Sequence, residues 1–206
     1  PFRAGQDPAQ GIFPTPAEID ADLRLLSDAS IAAVRTYSTL HSLGSIPELA
    51  ARHQVKVTLG AWINENARLN EEEVTKAIAL ADEYPNVIRV IVGNEALWRE
   101  DVTLEQLLRY LDRVRDRVSQ PVSTAEPWHV WLKYPQLAEH VDYIAVHLLP
   151  YWEGVPVEQG VDYLAQRMDE LARAFPGKQI VIAEVGWPSD GRTREAAVAS
   201  TSNESL

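Results

Sequence analysis

Short apolar runs alternate along the chain with longer amphipathic segments. The runs are rich in Val, Ile, Leu and Ala and predict β-strands at 31–34, 55–59, 87–92, 121–125, 141–146 and 179–183. Between most of them, apolar positions at helical spacing predict helices at 46–52, 71–83, 104–118 and 161–174. This alternation indicates βαβ units and a parallel sheet, and runs without strict alternation favour strands that are covered on both faces.

A capping motif marks the start of an earlier helix. Thr15 is suited to the N-cap, Pro16 to the first helical position and Glu18 to the third, where its side chain completes a capping box. Ile19 and Leu23 then supply the beginning of an apolar face. We therefore predict that this helix begins at Pro16, after a loop rich in Pro and Gly.

No linker or low-complexity tract interrupts the 206 residues, so we expect one domain over 1–206. Six strands fit a doubly wound sheet, or part of a (β/α)8 barrel, which needs eight. In both folds, ligands bind at the carboxyl ends of the strands. The residues that follow the strands are therefore the candidates for function.

The composition excludes several classes of function. Thirty acidic residues against 19 basic ones give a net charge of −11, which disfavours nucleic acids and anionic membrane surfaces as partners. No apolar run is long enough to span a bilayer. Cysteine is absent, which excludes thiol catalysis and thiolate metal sites, and no other metal or phosphate-binding motif occurs. We expect neither a metal nor a cofactor.

Tryptophan is concentrated where the predicted strands end. All six tryptophans follow a predicted strand: Trp62, Trp98, Trp128, Trp131, Trp152 and Trp187. Flat aromatic faces at one edge of a parallel sheet suit the C–H faces of sugars, or else nucleobases, which the net charge disfavours. Packing of the rings against the rim of the fold is the alternative for any one of them.

Two glutamates also end apolar strands. Glu95 follows the third run and Glu184 follows the last. A carboxylate at the end of a buried strand is costly unless it is compensated, so each is either paired structurally or functional. Together they form the pair that glycoside hydrolysis requires, in which one carboxyl donates a proton and the other attacks the sugar.

Further polar and aromatic residues at the strand ends complete the candidate site. Arg35 is suited to pairing with Glu184, and Tyr37 to a hydrogen bond with a carboxylate or a sugar. Glu126 is either an acceptor for sugar hydroxyls or a helix N-cap. The other candidates for substrate binding are His147, which ends a strand, and Tyr151 and Trp152, which are expected to line the cleft.

Four motifs resemble glycoside hydrolase family 17, in its bacterial branch of β-1,3-glucanases and glucanosyltransferases. They are Val34-Arg35-Thr36-Tyr37, Val92-Gly93-Asn94-Glu95, Pro150-Tyr151-Trp152 and the stretch from Ala183 to Ser189. The resemblance implies that Glu95 is the general acid/base and Glu184 the nucleophile. It also implies that Asn94 holds the sugar 2-hydroxyl.

The resemblance implies a (β/α)8 barrel in which the first visible strand is strand 2. Strand 1 is then expected before Pro1 and strand 8 after Leu206. The implied function is retaining hydrolysis or transfer of β-1,3-glucan outside the cytoplasm, in the periplasm or in secreted form. A related glycanase that acts on β-1,4-glycans and a glucan-binding barrel without turnover are the alternatives.

Overall fold

The structure is a computed structural model that describes residues 3–200, apart from the side chain of Ala9. The chain divides into two compact units, Pro1–Thr124 and Ala125–Leu206. The strands predicted before Pro1 and after Leu206 lie outside the described residues.

The first unit is built from βα steps in chain order. Its strands are β1 (Ala33–Arg35), β2 (Lys56–Ala61) and β3 (Val87–Asn94), and parallel pairing joins β1 to β2 and β2 to β3. Its helices are α1 (Pro16–Asp28), α2 (Ile46–Arg52), α3 (Ala67–Glu83) and α4 (Leu104–Arg115), with 3-10 turns at Pro8–Gln10 and His41–Ser45. The core of this unit includes the fully buried Leu59, Ile63, Val90, Leu107 and Leu111.

Strand β4 (Val122–Pro127) begins in the first unit and ends in the second. In the second unit, β4 pairs in parallel with β5 (Tyr143–Leu148), and β5 pairs in parallel with β6 (Gln179–Val185). The helices are α5 (Trp128–Lys133) and α6 (Gly160–Ala174), with 3-10 turns at Pro135–His140, Pro150–Glu153 and Val157–Gln159. Within residues 3–200, six parallel strands in chain order, with helical segments between them, confirm the predicted (β/α)8-type fold.

The prediction that the strands are buried on both faces is confirmed for some strands and is wrong for others. Every residue of β5 is buried, as are the first five residues of β4. In contrast, β6 has no fully buried residue, and Ile182 and Val185 are 40% and 48% exposed. Within the described part of the chain, β1 pairs only with β2 and β6 only with β5. Fewer neighbours therefore explain the exposure of these two strands.

The capping prediction is confirmed in detail. The Thr15 side chain accepts a hydrogen bond from the Glu18 backbone N–H, and the Glu18 carboxylate accepts one from the Thr15 backbone N–H at 2.7 Å. Helix α1 begins at Pro16, and Ile19 and Leu23 are its buried residues. Among residues 3–200, no helix has both the length and the apolar character that crossing a membrane requires.

Candidate active site

The end of β3 forms a strained turn that presents Glu95. Gly93 has φ +84°, and a Cβ there would lie 3.2 Å from the Leu107 side chain and 3.3 Å from Thr124 Oγ1. Glu95 itself has φ +55°, in the left-handed region that a non-glycine residue adopts at a cost. The turn closes through the Arg99 backbone N–H, which donates to the Glu95 carbonyl at 2.8 Å. A half-buried carboxylate in such a turn is held at the strand end and remains accessible.

Arg35 at the end of β1 and Asn94 at the end of β3 are brought together in the first unit, although β2 lies between these strands in the sheet. Arg35 Nη2 donates to Asn94 Oδ1 at 2.5 Å, and the Arg35 guanidinium lies 4.6 Å from the centre of the Tyr37 ring. Tyr37 is 44% exposed. Because Oδ1 accepts from Arg35, the amide NH2 of Asn94 is the group oriented to donate elsewhere. The predicted pairing of Arg35 with Glu184 stays a prediction.

Arg99 links the end of β3 to the segment after β2. Its guanidinium donates to the Asn94 carbonyl, to the Ile63 carbonyl at 3.2 Å and to Asp101 at 2.8 Å. It also lies 4.4 Å from the centre of the Trp62 ring. One residue therefore fixes both the backbone next to Glu95 and the plane of a candidate sugar-stacking ring.

Glu184 is held at the end of β6 by a histidine on β5. Val146 opposes Ile182 but His147 opposes Glu184, so the register shifts by one residue on β6 at this point. His147 Nε2 lies 3.4 Å from Glu184 Oε1; the histidine is 1% exposed and the Glu184 side chain 27%. A bulge that re-aims a side chain is common next to active sites. His147 therefore contacts one oxygen of Glu184, while part of the Glu184 side chain remains exposed to solvent.

Glu126 and Trp131 lie in the interior of the second unit. Glu126 is fully buried within β4, and the N-cap of α5 is Pro127, which excludes the N-cap alternative for Glu126. Trp131 is fully buried and its indole N–H donates to the Ala145 carbonyl at 3.0 Å. Trp131, predicted to lie at the rim where β4 ends, instead packs in the core from α5.

Trp128 lies in a cluster of polar and aromatic residues. Its indole N–H donates to Glu153 Oε1 at 2.8 Å, and the Arg167 guanidinium lies 4.2 Å from its ring centre. Arg167 also donates to Glu170 at 2.6 Å. Burial, together with the negative charge of the nearby Glu153 carboxylate, raises the pKa of Tyr163 well above its usual range. These contacts fix the Trp128 ring with one face covered by Arg167.

Tyr151 and Trp187 pack together, whereas Trp152 is exposed. Tyr151 is 3% exposed and Trp187 7%, and their ring centres lie 5.7 Å apart. The Trp187 indole donates to the Val198 carbonyl at 2.8 Å. Trp152 is 55% exposed, with the Arg194 guanidinium 4.1 Å from its ring centre. Of these three residues, Trp152 offers the most surface to a sugar.

Sequence reasoning missed the residues that hold the candidates in place. These are Arg99, Glu153, Arg167 and Arg194, none of which directly ends a strand. Two cation–π partners, Arg167 and Arg194, lie 39 and 42 residues from their tryptophans in the sequence, and no local pattern signals contacts of that kind. Arg99 lies only four residues after Glu95, and this proximity in sequence could have indicated its role.

A parallel (β/α)8-type fold with glutamates at two strand ends is typical of retaining glycoside hydrolases. The chain belongs to the BtgE/BtgC glycoside hydrolase domain family, whose model matches residues 3–206.

Similar curated proteins are fungal. The chain is 27% identical over 197 residues to the probable β-glucosidase btgE of Aspergillus terreus, covering 92% of this chain and 35% of that protein. It is 26% identical over 204 residues to the probable family 17 glucosidase SCW4 of Saccharomyces cerevisiae, covering 95% of this chain and 52% of that protein. The chain thus spans between about a third and a half of these relatives.

A solved structure gives the same assignment. The glycoside hydrolase family 17 β-1,3-glucanosyltransferase of Rhizomucor miehei is 28% identical, with a TM-score of 0.83 over 93% of this chain and 73% of that one. An active-site mutant of the same enzyme, in complex with laminaritriose, matches equally well. The family predicted from the motifs is therefore confirmed, whereas these fungal relatives do not support a bacterial branch.

Proposed function

We propose that this chain is the catalytic part of an enzyme that cleaves or transfers β-1,3-glucan with retention of configuration. The observation that carries the proposal is the family match over residues 3–206, which includes a glutamate at the end of β3 and another at the end of β6. Glu95 acts as the general acid/base and Glu184 as the nucleophile. The local contacts of each residue support its role.

In the first step, the Glu184 carboxylate attacks the anomeric carbon while protonated Glu95 donates its proton to the departing glycosidic oxygen. The bond to the leaving sugar breaks, and a covalent glycosyl-enzyme ester forms. In the second step, Glu95 removes a proton from water or from a sugar hydroxyl. The oxygen so activated attacks the anomeric carbon, and Glu184 leaves as a carboxylate. Water gives hydrolysis, and a sugar gives transfer.

The neighbours of the two glutamates support these steps. Arg35 binds Asn94 Oδ1, which turns the Asn94 amide NH2 into the donor for the sugar 2-hydroxyl. His147 holds one oxygen of Glu184 at 3.4 Å and leaves the side chain partly exposed for attack. Substrate contacts are proposed for the residues predicted from the sequence. Tyr37, Trp62, Trp128 and Trp152 retain exposed surface, whereas Glu126, His147, Tyr151 and Trp187 are almost fully buried.

The substrate is proposed to be a β-1,3-glucan oligosaccharide or polysaccharide. A similar structure is a β-1,3-glucanosyltransferase, and its active-site mutant binds laminaritriose. Exposed aromatic rings at Trp98 and Trp152 supply stacking surfaces suited to a glucan. The alternatives are action on β-1,4-glycans and glucan binding without turnover. The product profile on laminarin, cellulose and mannan distinguishes these alternatives from the proposed function. A location outside the cytoplasm and a bacterial source remain hypotheses.

Chemical rescue tests the role of Glu184. Glu184→Gly is expected to lose turnover of laminari-oligosaccharides, because no nucleophile remains. Added azide is expected to restore reaction of a β-glucosyl donor with a good leaving group and to give an α-glucosyl azide. Glu158→Gly, at an exposed position, serves as the control and is expected to behave like the parent. Near-parental activity of Glu184→Gly would contradict the assignment.

Leaving-group dependence tests the role of Glu95. Glu95→Ala is expected to slow the cleavage of poor leaving groups far more than that of good ones, because only the poor ones need a proton. The measurement is kcat/KM over a series of aryl glucosides of decreasing phenol pKa. An equal loss across the series would remove Glu95 from the acid role.

A further inference from the structure

Helix α3 buries two polar side chains where its amphipathic pattern would place apolar ones. Asn70 is 1% exposed and Glu73 is 2% exposed. They lie three residues apart and therefore on the same face of the helix. Neither residue ends a strand or takes a part in the chemistry described above. A buried carboxylate is expensive unless several donors satisfy it, so its partners indicate what it does.

Glu73 binds the segment that follows β1. Its Oε2 accepts from the Thr39 backbone N–H at 2.7 Å and from Thr39 Oγ1 at 2.6 Å. Its Oε1 accepts from Ser38 Oγ. Three donors on two adjacent residues fix the backbone immediately after Tyr37. Thr39 is itself fully buried, so these bonds are shielded from competing water.

Asn70 binds the segment that follows β2. Its Oδ1 accepts from the Asn64 backbone N–H at 2.9 Å, and its Nδ2 donates to the Asn64 carbonyl at 2.7 Å. This bidentate contact satisfies both backbone groups of one residue and so fixes its orientation. Asn64 lies two residues after Trp62, whose backbone amide is near enough to the Glu73 carboxyl to lower its pKa, against the larger effect of burial.

The two segments are packed too closely to move independently. The Gly60 backbone N–H donates to Thr36 Oγ1 at 3.0 Å. A Cβ on Gly60 would lie 2.3 Å from the Thr36 carbonyl oxygen and 2.7 Å from Tyr37 Cα. Only glycine permits this approach. The ends of β1 and β2 are therefore packed together as one rigid unit. Helix α3 forms hydrogen bonds to the segment that follows each of these strands.

We propose that Asn70 and Glu73, here termed the α3 clamp, are positioning residues that set Tyr37 and Trp62 in place for glucan binding. The clamp acts through the backbone next to each aromatic residue and does not touch the sugar. An apolar pair would fill the same space but would leave the Ser38, Thr39 and Asn64 backbone or hydroxyl groups without these partners. This inference rests on the proposed function for its substrate, though not for the coupling of the two segments.

The test uses Glu73→Gln and Asn70→Ala, with Glu72→Gln as the matched control. Glu72 is the preceding residue on the same helix, is exposed and pairs only with the surface residue Arg68 in the contacts described. Glu73→Gln replaces one acceptor oxygen with an NH2 group, which cannot accept from the Ser38 and Thr39 donors. Asn70→Ala removes both hydrogen bonds to Asn64. Thr39→Val provides a milder variant that keeps the fold if Glu73→Gln unfolds the protein.

Hydrogen exchange at the Thr39 and Asn64 amides is the first readout. Each clamp variant is expected to accelerate exchange by roughly tenfold or more at both amides, because the segments are coupled. Kinetics on laminari-oligosaccharides are the second. KM is expected to rise about tenfold with kcat within about twofold, since binding contacts outside the reacting bond are lost. Glu72→Gln is expected to change neither readout.

The outcomes separate positioning from plain support of the fold. A fall in kcat at constant KM, together with a lower melting temperature, would indicate loss of folded enzyme and would overturn the proposal. Unchanged exchange at both amides would also overturn it. So would acceleration at only the amide that the substituted side chain binds, which is Thr39 for Glu73 and Asn64 for Asn70. If the parent protein turned over no laminari-oligosaccharide, the proposed function would fail, and the exchange data would still decide whether the clamp couples the two segments.

Discussion

His147 and Glu184 oppose one another across β5 and β6, with 3.4 Å between His147 Nε2 and Glu184 Oε1. The register shift next to them places the carboxylate opposite the imidazole. Because His147 is almost fully buried, it has little surface to offer a sugar. The geometry therefore favours a role for His147 in holding Glu184, the proposed nucleophile, beside the substrate contact predicted from the sequence.

Replacing His147 tests this role. His147→Asn is expected to lower kcat about 10- to 100-fold, because the shorter side chain cannot reach Glu184 and the carboxylate is left free to rotate. His147→Gln, whose amide extends about as far as Nε2, is expected to recover part of the loss. The measurement is kcat and KM on laminari-oligosaccharides.

His41→Asn is the matched control for the His147 variants. His41 is exposed and has φ +53°, a conformation that Asn tolerates better than most residues. We expect parental kinetics from it. If His147→Asn retained the parental kcat, or if Gln were no better than Asn at position 147, the holding role would be wrong.

Arg99 is expected to stabilise the first unit through the forked geometry of its guanidinium group, beyond its charge. Arg99→Lys keeps the charge but cannot reproduce the fork that reaches the Asn94 and Ile63 carbonyls and Asp101. We expect a loss of about 2–3 kcal/mol in the free energy of unfolding, measured by urea denaturation, because buried acceptors lose charged donors. The activity should fall as well, since the turn at Glu95 loosens.

The control for Arg99 is Arg109→Lys. Arg109 pairs with Glu105 on the exposed face of α4, and its side chain is 62% exposed. Surface pairs of this kind contribute little, so a change below about 0.5 kcal/mol is expected. Equal losses from the two substitutions would show that the contacts of Arg99 contribute no more to the free energy of unfolding than a surface ion pair does.

Substitution of an exposed and of a buried tryptophan is expected to affect different properties, glucan binding in one case and stability in the other. Trp152→Ala is expected to weaken laminari-oligosaccharide binding by about 1–3 kcal/mol with little change in melting temperature, because the ring is 55% exposed. Trp131→Ala is expected to cost about 3–5 kcal/mol of stability, because a fully buried ring is removed. Titration calorimetry and thermal unfolding measure the two effects. A large stability loss from Trp152→Ala with unchanged affinity would make that ring a structural element.

Much of the fold could be predicted because the local signals are strong. The strand at 87–92 and the helix at 46–52 follow from apolar runs and helical spacing, and both were found, the helix with unchanged bounds. The capping box at Thr15 is a three-residue signal that acts within one turn. Boundaries at carboxyl ends were less accurate. β2 continues to Ala61, which pairs with Val92, and β3 continues to Asn94, beyond its apolar run.

The site was less predictable because burial and orientation depend on distant residues. Trp131 and Trp152 both follow a strand, yet one is fully buried and the other exposed. The difference arises from the short helix α5, whose six residues turn Trp131 towards Ala145 and Phe175. The partners of Glu73 lie 34 and 35 residues away in sequence. No spacing rule reports contacts of that range.

Glu73 gives the stability of the protein a pH dependence with a definite sign. Burial raises the pKa of the Glu73 carboxyl from its ordinary value of 4.5, and the hydrogen bonds from Ser38 and Thr39 oppose this only in part. A group whose pKa is higher in the folded than in the unfolded state contributes stability that is fully present below the unfolded pKa. That contribution is lost as the pH rises through the folded pKa.

Replacing Glu73 with a neutral residue should remove this pH dependence. As the pH rises above about 4.5 and through the folded-state pKa, the free energy of unfolding of the parent is expected to lose the Glu73 contribution, while Glu73→Gln, neutral throughout, has none to lose. The stability difference, parent minus variant, should therefore decline as the pH rises and then level off. Urea denaturation at half-unit pH intervals measures it, with Glu72→Gln alongside to correct for the loss of one carboxylate from the surface of the same helix. A difference that is constant across the range, or that grows with pH, would mean that the Glu73 pKa is not raised by folding.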